Sequence, residues 1–408
     1  MRATSHSFKD NAHEALGDKA LQKALGAFDF GQSGLAQRRR EAVVKLPEFE
    51  VLRDQAKAIK DHTLANLDWY LERFEQNCTA AGGHVHWCRT AEEARQTVLE
   101  ICRQAGARTV TKGKSMIGEE IAINDFLAAN GVEPIETDLG EYIIQIRNET
   151  PSHIIAPAIH LTKEQVAKSF RDTHVQFDPA RPLEEPRALL DEARGLLRQK
   201  FLDADVGITG ANFLIAETGS SVIVTNEGNG DLTQSLPRIH IVVASIDKVV
   251  PTLEETALLL RLLARSATGQ EITAYTTFAT GPRRPGDPDG PEECHIVLVD
   301  NGRTALLASE ARDILRCIRC GACMNHCPVY NAIGGHAYAA VYAGPMGSAL
   351  TPALEGVAKH RDLPHASTLC GRCEDVCPVK IPLTEILRYW RTEDVPKDPM
   401  PRGQRRWL

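Results

Sequence analysis

The chain has 408 residues, 43% of them hydrophobic and 25% charged, and a formal net charge of −7. A single hydrophobic core rarely grows past roughly 250–300 residues, so this length predicts two structural units. The negative charge argues against nucleic acid or an anionic membrane surface as the main partner. We see neither an apolar run near the roughly 20 residues of a membrane span nor a signal peptide, and we therefore expect a cytoplasmic protein.

The N-terminal residues 1–45 are predicted to form a polar, weakly anchored helical extension. Within it, the basic run Arg38–Arg40 is most simply a solvent-exposed helix face. From Pro47, apolar residues at helical spacing predict one long helix, which ends at the pair Gly82 and Gly83.

Strands and helices then alternate. Strands are predicted at 84–88, 108–113 and 132–138, and helices at 91–106 and 115–131. This alternation predicts a parallel sheet covered by helices. Ligands of such sheets bind at the carboxyl ends of the strands.

Beyond residue 205 the predicted elements change in character. They are a hairpin at 213–226, a loop at 227–234, a strand at 238–245, a helix at 251–267, a surface loop at 281–291 and a strand with its turn at 294–302. We place a domain boundary near 303–312 and predict short helices around cysteine motifs after it.

Two segments of the larger domain are candidate ligand loops. In TKGKS (111–115), a helix N-terminus beside Lys112 and Lys114 could bind an anion, although a polar turn with solvated lysines is the simpler interpretation. The triplet GKS resembles a P-loop, but Arg108 replaces the required upstream glycine, which excludes nucleoside triphosphate binding.

The second candidate loop lies in ETGSSVIVTNEGNGD (217–231). It gathers Glu217, Asn226, Glu227 and Asn229 among glycines, where a backbone can approach a ligand closely. An ordinary hairpin explains it equally well. No dinucleotide-binding fingerprint follows any predicted strand.

The eleven cysteines are unevenly distributed. Four are scattered singly and are interpreted as small buried hydrophobic residues: Cys78, Cys88, Cys102 and Cys294. The other seven lie between Cys317 and Cys377. In a reducing cytoplasm these seven are better interpreted as metal ligands or free thiols than as disulfides.

The first cysteine motif is CIRCGACMNHCPVY, with the spacing C-x2-C-x2-C-x3-C-P. In two-cluster ferredoxins the fourth cysteine of such a run ligates the other cluster. Together with the second motif, LCGRCEDVCPVKIP, this crossed pairing predicts a first cluster on Cys317, Cys320, Cys323 and Cys377. It predicts a second cluster on Cys327, Cys370 and Cys373.

The second motif lacks its leading cysteine, and Ser367 stands at that position. The fourth site of the second cluster could hold Ser367, water, a partner's ligand or nothing, so the second of the two [4Fe-4S] clusters could instead be a [3Fe-4S] cluster. Seven cysteines at these gaps fit tetrahedral zinc poorly. His326, inside the first motif, is interpreted as a neighbour of the cluster or a solvent-facing residue rather than a ligand. A long helical insert between the motifs resembles α-helical ferredoxin modules of dehydrogenase and heterodisulfide-reductase subunits.

Five segments together resemble the lactate utilisation protein B family, the iron–sulfur subunit of a bacterial lactate-utilisation system. They are ETDLGEYIIQI, PSHIIAPAIH, AETGSSVIVTNEGNGDL and the two cysteine motifs. The resemblance covers roughly residues 50–390. It implies an α/β LUD domain, similar to the sugar-phosphate isomerase and CoA-transferase fold, followed by an α-helical ferredoxin domain. Members of the family often continue into a further C-terminal segment.

The resulting division of the chain has four parts: a helical extension at 1–45, a LUD domain at 46–305, a ferredoxin domain at 306–395 and a tail at 396–408. The resemblance implies a role in oxidising L-lactate to pyruvate, beside a cysteine-rich subunit and a small LUD-domain subunit. It leaves the catalytic residues and the electron acceptor unidentified.

Two other functions remain open at this point. One is an electron relay for another substrate, of the glycerol phosphate or heterodisulfide type. The other is an enzyme that handles CoA or sugar phosphates and carries accessory clusters, which would need a nucleophile such as Glu217 or Glu227 facing a closed pocket. A cleft suited to a lactate carboxylate would favour the lactate role, and a CoA-sized groove the enzyme.

Overall fold

A computed structural model describes residues 7–28 and 34–393. The ten strands within them are β1 (His84–Cys88), β2 (Thr109–Lys112), β3 (Glu133–Glu136), β4 (Val206–Thr209), β5 (Phe213–Ile215), β6 (Ser220–Thr225), β7 (Ile239–Ser245), β8 (Val249–Val250), β9 (Tyr275–Ala279) and β10 (Glu293–Val299). The predicted tail at 396–408 lies outside the described residues.

The helices before β4 are α1 (Phe8–Gly17), α2 (Lys19–Phe28), α3 (Leu35–Val44), α4 (Phe49–Ala65), α5 (Leu67–Ala80), α6 (Ala91–Gln104), α7 (Met116–Glu120), α8 (Ile123–Ala129), α9 (Leu139–Ile146), α10 (Lys163–Thr173) and α11 (Pro186–Asp203). Those after it are α12 (Asn229–Ser235), α13 (Leu253–Ala267), α14 (Arg303–Leu307), α15 (Ala322–Asn325), α16 (Pro328–Ile333), α17 (Gly344–Glu355), α18 (Arg372–Asp375) and α19 (Leu383–Glu393).

Six strands form one sheet in the order β1-β10-β7-β4-β2-β3, and every pair of neighbours is parallel. Alternate residues of β7 pack on opposite faces: Ile241 and Val243 contact the layer of α6, α7 and α8, while Val242 and Ala244 contact the layer of α5. Burial on both faces explains the nearly continuous apolar strands of the sequence. The predicted parallel sheet covered by helices is confirmed.

A second, mixed sheet has the order β8-β5-β6-β9. Strands β5 and β6 form the predicted antiparallel hairpin, which turns at Gly219 with a φ of +70°. Any side chain at Gly219 would collide with the backbone of Cys78, since an added Cβ would lie 2.2 Å from the Cys78 nitrogen. The hairpin therefore packs tightly on the end of α5.

Three predicted elements were wrong. The long helix from Pro47 is interrupted at Asn66, and the helix at 115–131 is interrupted at Ala122, which has a φ of +51°. The predicted loop at 227–234 instead contains α12. Short strands β4 and β9 were not predicted at all.

The cysteine-rich part consists of short helices, as predicted, but its core is not separate. One hydrophobic cluster joins Tyr330 and Leu350 of this part to Leu25 of α2, Phe213 of β5 and Leu262 of α13. The predicted boundary near 303–312 is therefore crossed by continuous packing.

The segment 150–157 also joins the two parts. Ser152 accepts a hydrogen bond through its carbonyl from the Tyr330 hydroxyl at 2.7 Å, and its Oγ accepts one from the Gly335 N–H at 3.0 Å. His153 Nδ1 accepts two backbone N–H bonds, so its Nε2 carries the proton and donates to Asn325 Oδ1 at 3.0 Å. Burial lowers the pKa of His153 to about 4, which keeps the ring neutral.

Candidate functional site

The seven clustered cysteines lie on matching local structures. In each motif a glycine with positive φ, Gly321 at +73° and Gly371 at +81°, precedes a four-residue helix that carries a cysteine. A Cys-Pro pair follows each helix: Cys327 caps the N-terminus of α16, and Cys377 begins a turn in which its carbonyl accepts the Lys380 N–H at 3.2 Å. The two motifs therefore share a turn, a short helix and a Cys-Pro ending.

One group consists of the thiols that line a single small cavity: Cys317, Cys320, Cys323 and Cys377. Apolar side chains, including Ile154 and Met346, complete its wall. Burial and then the negative charge of Cys377 raise the pKa of Cys320 to about 12, in agreement with the cavity that both sulfurs line.

The other three cysteines form a second group, Cys327, Cys370 and Cys373. Burial raises the pKa of Cys373 to about 12, with further contributions from Glu374, Cys327 and Cys370. Cys370 is exposed, whereas its two partners are buried. This is the division that the crossed pairing predicts, and it supports that pairing as a proposal.

The two groups are close neighbours. Burial raises the pKa of Cys323 well above its ordinary value, and the charges of Cys320, Cys317 and, from the second group, Cys373 add to the effect. Helix α15, which carries Cys323, also contacts α18, which carries Cys373.

The residues present fit iron–sulfur clusters. Burial and mutual repulsion keep these thiols from ionising on their own. A cationic iron centre would offset that repulsion and bind the thiolates. Three sulfurs also accept backbone N–H bonds: Cys317 from Arg319 at 3.4 Å, Cys327 from Tyr330 at 3.5 Å and Cys377 from Ile381 at 3.4 Å. Such bonds to sulfur are a general feature that tunes cluster potentials.

Ser367 occupies the place in the second motif that Cys317 has in the first. Its Oγ accepts the backbone N–H of Leu369 at 3.1 Å, just as the Cys317 sulfur accepts that of Arg319. Leu369 and Arg319 also share a positive φ, of +55° and +59°. Ser367 therefore has the same local backbone setting as Cys317, and its role as a fourth ligand stays a prediction.

His326 lies beside Cys327 without an ionised ring. Its Nδ1 donates to the Ala322 carbonyl at 2.8 Å, and burial lowers its pKa to about 4. Its Nε2 has no hydrogen-bond partner among the described residues. The interpretation that it neighbours a cluster without ligating it stays a prediction.

Two N-terminal arginines bind the backbone of the second motif. Arg39 Nη2 donates to the Val376 carbonyl at 2.9 Å, and Arg53 donates to the Cys377 carbonyl from Nε at 3.0 Å and Nη2 at 2.8 Å. The prediction of a weakly anchored extension was wrong here, because Arg39 is only 7% exposed. Arg38 and Arg40 are exposed, as predicted.

The four scattered cysteines are all buried, which agrees with their interpretation as small hydrophobic residues. Burial raises the pKa of Cys78 to about 11 and that of Cys102 and Cys294 to about 12, and it also raises the pKa of Cys88. These thiols stay protonated at neutral pH and are poor nucleophiles.

The parallel sheet carries a larger cavity of about 290 Å³ at the carboxyl ends of β2, β4 and β7. Both candidate ligand loops contribute to it: Lys114 from the first, and Asn226, Glu227 and Asn229 from the second. Lys114 Nζ donates to the Ile155 carbonyl at 2.9 Å and lies 3.5 Å from Asp138. The two segments that were singled out separately thus line one cavity.

Two of the candidate residues lie elsewhere. Lys112 is fully buried and pairs with Glu136 at 2.6 Å and Glu119 at 3.3 Å, so it is neither solvated nor part of this cavity. Glu217 accepts the backbone N–H of Leu253 at 3.0 Å at the start of α13. Neither is placed to bind an anion in the cavity.

Two cations of the cavity, Lys248 and Arg319, were not predicted from the sequence. Lys248 ends the short 3-10 turn Ile246–Lys248 that follows β7, and Arg319 lies between two cysteines of the first motif. Burial, followed by the neighbouring Arg319, lowers the pKa of Lys248 to about 7. A lysine just after a buried parallel strand was the available signal, because ligand sites occur at such strand ends.

Comparison with known families agrees with this architecture. The LUD domain model matches residues 71–299, and the 4Fe-4S dicluster domain model matches residues 313–381. Lactate utilization protein B of Bacillus licheniformis is 45% identical over 98% of this chain and 82% of the relative. The chain belongs to the lactate utilization protein B family.

Other relatives match a similar share of the chain. Lactate utilization protein B of a Geobacillus strain is 49% identical over 89% of this chain and 76% of its own length. The Uncharacterized electron transport protein YkgF of Escherichia coli K12 is 45% identical over 96% of this chain and 81% of that protein. The family therefore combines a LUD α/β domain with an iron–sulfur domain of ferredoxin type, and the predicted fold class is confirmed.

Among solved structures, a DUF162 family protein from Deinococcus radiodurans matches 57% of this chain and 98% of its own, with 14% identity and a TM-score of 0.32. That likeness is too weak to support any inference. Within residues 7–28 and 34–393, no helix combines the length and apolar character that crossing a membrane requires.

Proposed function

We propose that this protein is the iron–sulfur electron-transfer subunit of a complex that oxidises L-lactate to pyruvate. The observation that carries the proposal is the division of seven thiols into two adjacent groups within a 4Fe-4S dicluster domain. When bound there, clusters accept and release single electrons. The names of the relatives, lactate utilization protein B and electron transport protein, support the pathway and the class of reaction.

In this proposal Cys317, Cys320, Cys323 and Cys377 hold the first cluster. Cys327, Cys370 and Cys373 hold the second, with Ser367 at its fourth position. The protein acts in the cytoplasm beside a cysteine-rich subunit and a small LUD-domain subunit, and passes electrons from lactate to an acceptor. The cavity of about 290 Å³ at the strand ends is at the small end of ligand pockets, which counts against the binding of CoA in that cavity.

Anaerobic purification with iron and sulfide analysis and EPR spectroscopy tests the cofactors. About eight irons per chain are expected for two cubanes and about seven for a three-iron second site. Colourless protein without iron, or protein with zinc only, would contradict the proposal.

The pathway is tested by adding L-lactate to the assembled complex under anaerobic conditions. Reduction of the clusters, seen as bleaching and as new EPR signals, is expected, together with loss of growth on L-lactate when the gene is deleted. Normal growth on L-lactate in a strain without a second lactate dehydrogenase would count against this function.

A further inference from the structure

The larger cavity lies where the direction of the sheet changes. From β2 the chain continues to β3 on one side, whereas β4 is followed by β7 and β10 on the other side. The segment 113–117 after β2 and the segment 210–212 after β4 both line the cavity. Crevices at such switch points are where open α/β sheets bind their ligands.

Two cations in this cavity form no ion pair among the described residues, although the buried carboxylate of Asp247, which pairs with Arg303, interacts electrostatically with both. Lys248 is only 9% exposed, and within the described residues its amino group forms neither an ion pair nor a hydrogen bond. Arg319 packs its guanidinium over the Tyr342 ring at 5.2 Å and approaches the Met346 sulfur at 3.9 Å, but it too forms no ion pair within that part of the chain. Lys248 is buried and Arg319 is half-buried, and an anion bound between them would form the ion pairs that they lack.

The charged side chains that line the cavity indicate the charge of an anion that would fit there. Lys114, Arg319 and protonated Lys248 are positive, and Asp138 and Glu227 are negative. With Lys248 protonated the surplus is one positive charge, which matches a singly charged anion better than a phosphate or a nucleotide. Apolar side chains on the same wall, among them Leu263 and Ala267, suit a short hydrocarbon part.

We propose that this cavity binds a small monocarboxylate, a 2-hydroxy or 2-oxo acid, and that Lys248 and Arg319 pair with its carboxylate. The choice of lactate and pyruvate as the particular acids rests on the proposed function. Arg319 and Ile154 line both this cavity and the cavity among the first group of thiols. The carboxylate would therefore bind directly beside the first cluster.

A rival explanation is that Lys248 and Arg319 only neutralise a negatively charged cluster. Lys60 is a suitable comparison for a lysine that only neutralises a cluster. It is buried near Cys317, donates to the Asp247 carbonyl at 2.6 Å and does not line the larger cavity. Lys248 differs because it faces open volume. The two explanations predict different effects of removing its charge.

The test is calorimetric titration of the full-length, iron-loaded protein with L-lactate, pyruvate, inorganic phosphate and the neutral amide of lactic acid. We expect the two carboxylates to bind at least about tenfold more tightly than the amide, because the amide cannot form the ion pairs. In Lys248→Met the affinity for both carboxylates is expected to fall at least about tenfold. Lys168→Met, which removes an exposed lysine paired with Asp172, is the matched control and should bind as the unmodified protein does.

Three results would overturn the proposal: carboxylates that bind no better than the amide, phosphate that binds more tightly than they do, or Lys248→Met that keeps full affinity while the cluster potential shifts. The comparison of ligands on the unmodified protein decides the question even if Lys248→Met does not fold. Failure here, with clusters that lactate still reduces in the complex, would leave the proposed function standing. Lysine-dependent binding without such reduction would leave the site standing and remove the function.

Discussion

Positive side chains surround the first group of thiols. Arg53 lies beside Cys377, and Arg39 interacts electrostatically with Cys320 and Cys377. A reduced cluster carries one more negative charge than an oxidised one, so nearby cations favour the reduced form and raise the midpoint potential. In the proposed ligand set, these arginines would raise the potential of the first cluster from outside the cysteine motifs.

Replacing Arg53 with glutamine should lower the midpoint potential of the first cluster by tens of millivolts. About 1 kcal/mol of lost interaction corresponds to roughly 40 mV for a one-electron couple. Potentiometric titration followed by EPR measures the change. Arg40→Gln is the matched control, because Arg40 is exposed on α3 and bonds Gln37; an equal shift in both variants would refute a local effect of Arg53.

At the scale of single residues, the sequence could identify the candidate cysteine ligands but not the cations that surround them. The cysteines could be identified because their spacing is local along the chain. Arg39 could not be distinguished from Arg38 and Arg40, since only the docking of α3 against Val376 buries the middle one. Lys248 and Arg319 meet in one cavity only after two distant segments pack together.

The two cysteine motifs behave as structural repeats in which one position differs. Both have a positive φ before the second cysteine position and at the following glycine, and both end in Cys-Pro. The repeat places Ser367 where the first motif has Cys317. A thiolate binds iron of a cluster more readily than a hydroxyl does, so the two fourth sites should differ in strength.

The variant Ser367→Cys should complete a four-cysteine set for the second cluster. Any three-iron EPR signal is expected to disappear, and the iron content should approach about eight per chain. Thr368→Cys, at the exposed neighbouring position, is the control and should leave both unchanged. An EPR spectrum of Ser367→Cys identical to that of the unmodified protein would show that this position does not reach the cluster.

The segment 150–157 depends on a glycine opposite it. A Cβ at Gly335 would lie 1.8 Å from the Ser152 carbonyl oxygen, so Gly335→Ala must push the segment away from α16. We expect lower iron content and a lower free energy of unfolding, by about 1–3 kcal/mol as for other overpacked sites. Both are measured on anaerobically purified protein.

Gly195→Ala provides the contrast for that experiment. Gly195 is exposed within α11 with nothing near its Cβ position, so alanine there should stabilise the helix by about 1 kcal/mol. Equal behaviour of the two variants would mean that Gly335 has no special role in joining the two parts.

Whole elements were predictable where local signals agreed. Strand β1 was predicted at its observed bounds, and α6 within two residues at its end. Helix α12 was missed because its glycines and polar residues resemble a loop. It forms against β4, where a Cβ at Gly207 would lie 1.8 Å from the Thr233 carbonyl, and that contact is not visible in the local sequence.

At the scale of the whole molecule, the shared core is the main feature. Buried residues of α1, α2, α4, α13 and the cysteine-rich part belong to one hydrophobic cluster. Family models divide the chain at 299 and 313, but packing does not. The sequence could indicate two units by length and motif, whereas the extent of the packing between them depends on many distant apolar contacts.

Residues 306–395 expressed as a separate chain should therefore fail to fold. They would expose the apolar surface that normally contacts the N-terminal helices and α13, and such surface leads to aggregation. Solubility, circular dichroism and iron content test this. A soluble, brown, iron-loaded fragment would contradict it, and the intact chain purified in parallel is the control.

In the proposed function, a shared core would also fix the route of electron transfer. A ferredoxin module on a flexible tether can carry charge between distant docking points, but here rotation of the module would break the hydrogen bonds from Tyr330 to Ser152 and from Arg53 to Cys377. The proposed relay would therefore transfer electrons without moving its clusters. Among the cysteines of the described residues Cys370 alone is exposed, so a redox partner would have to bind at that edge.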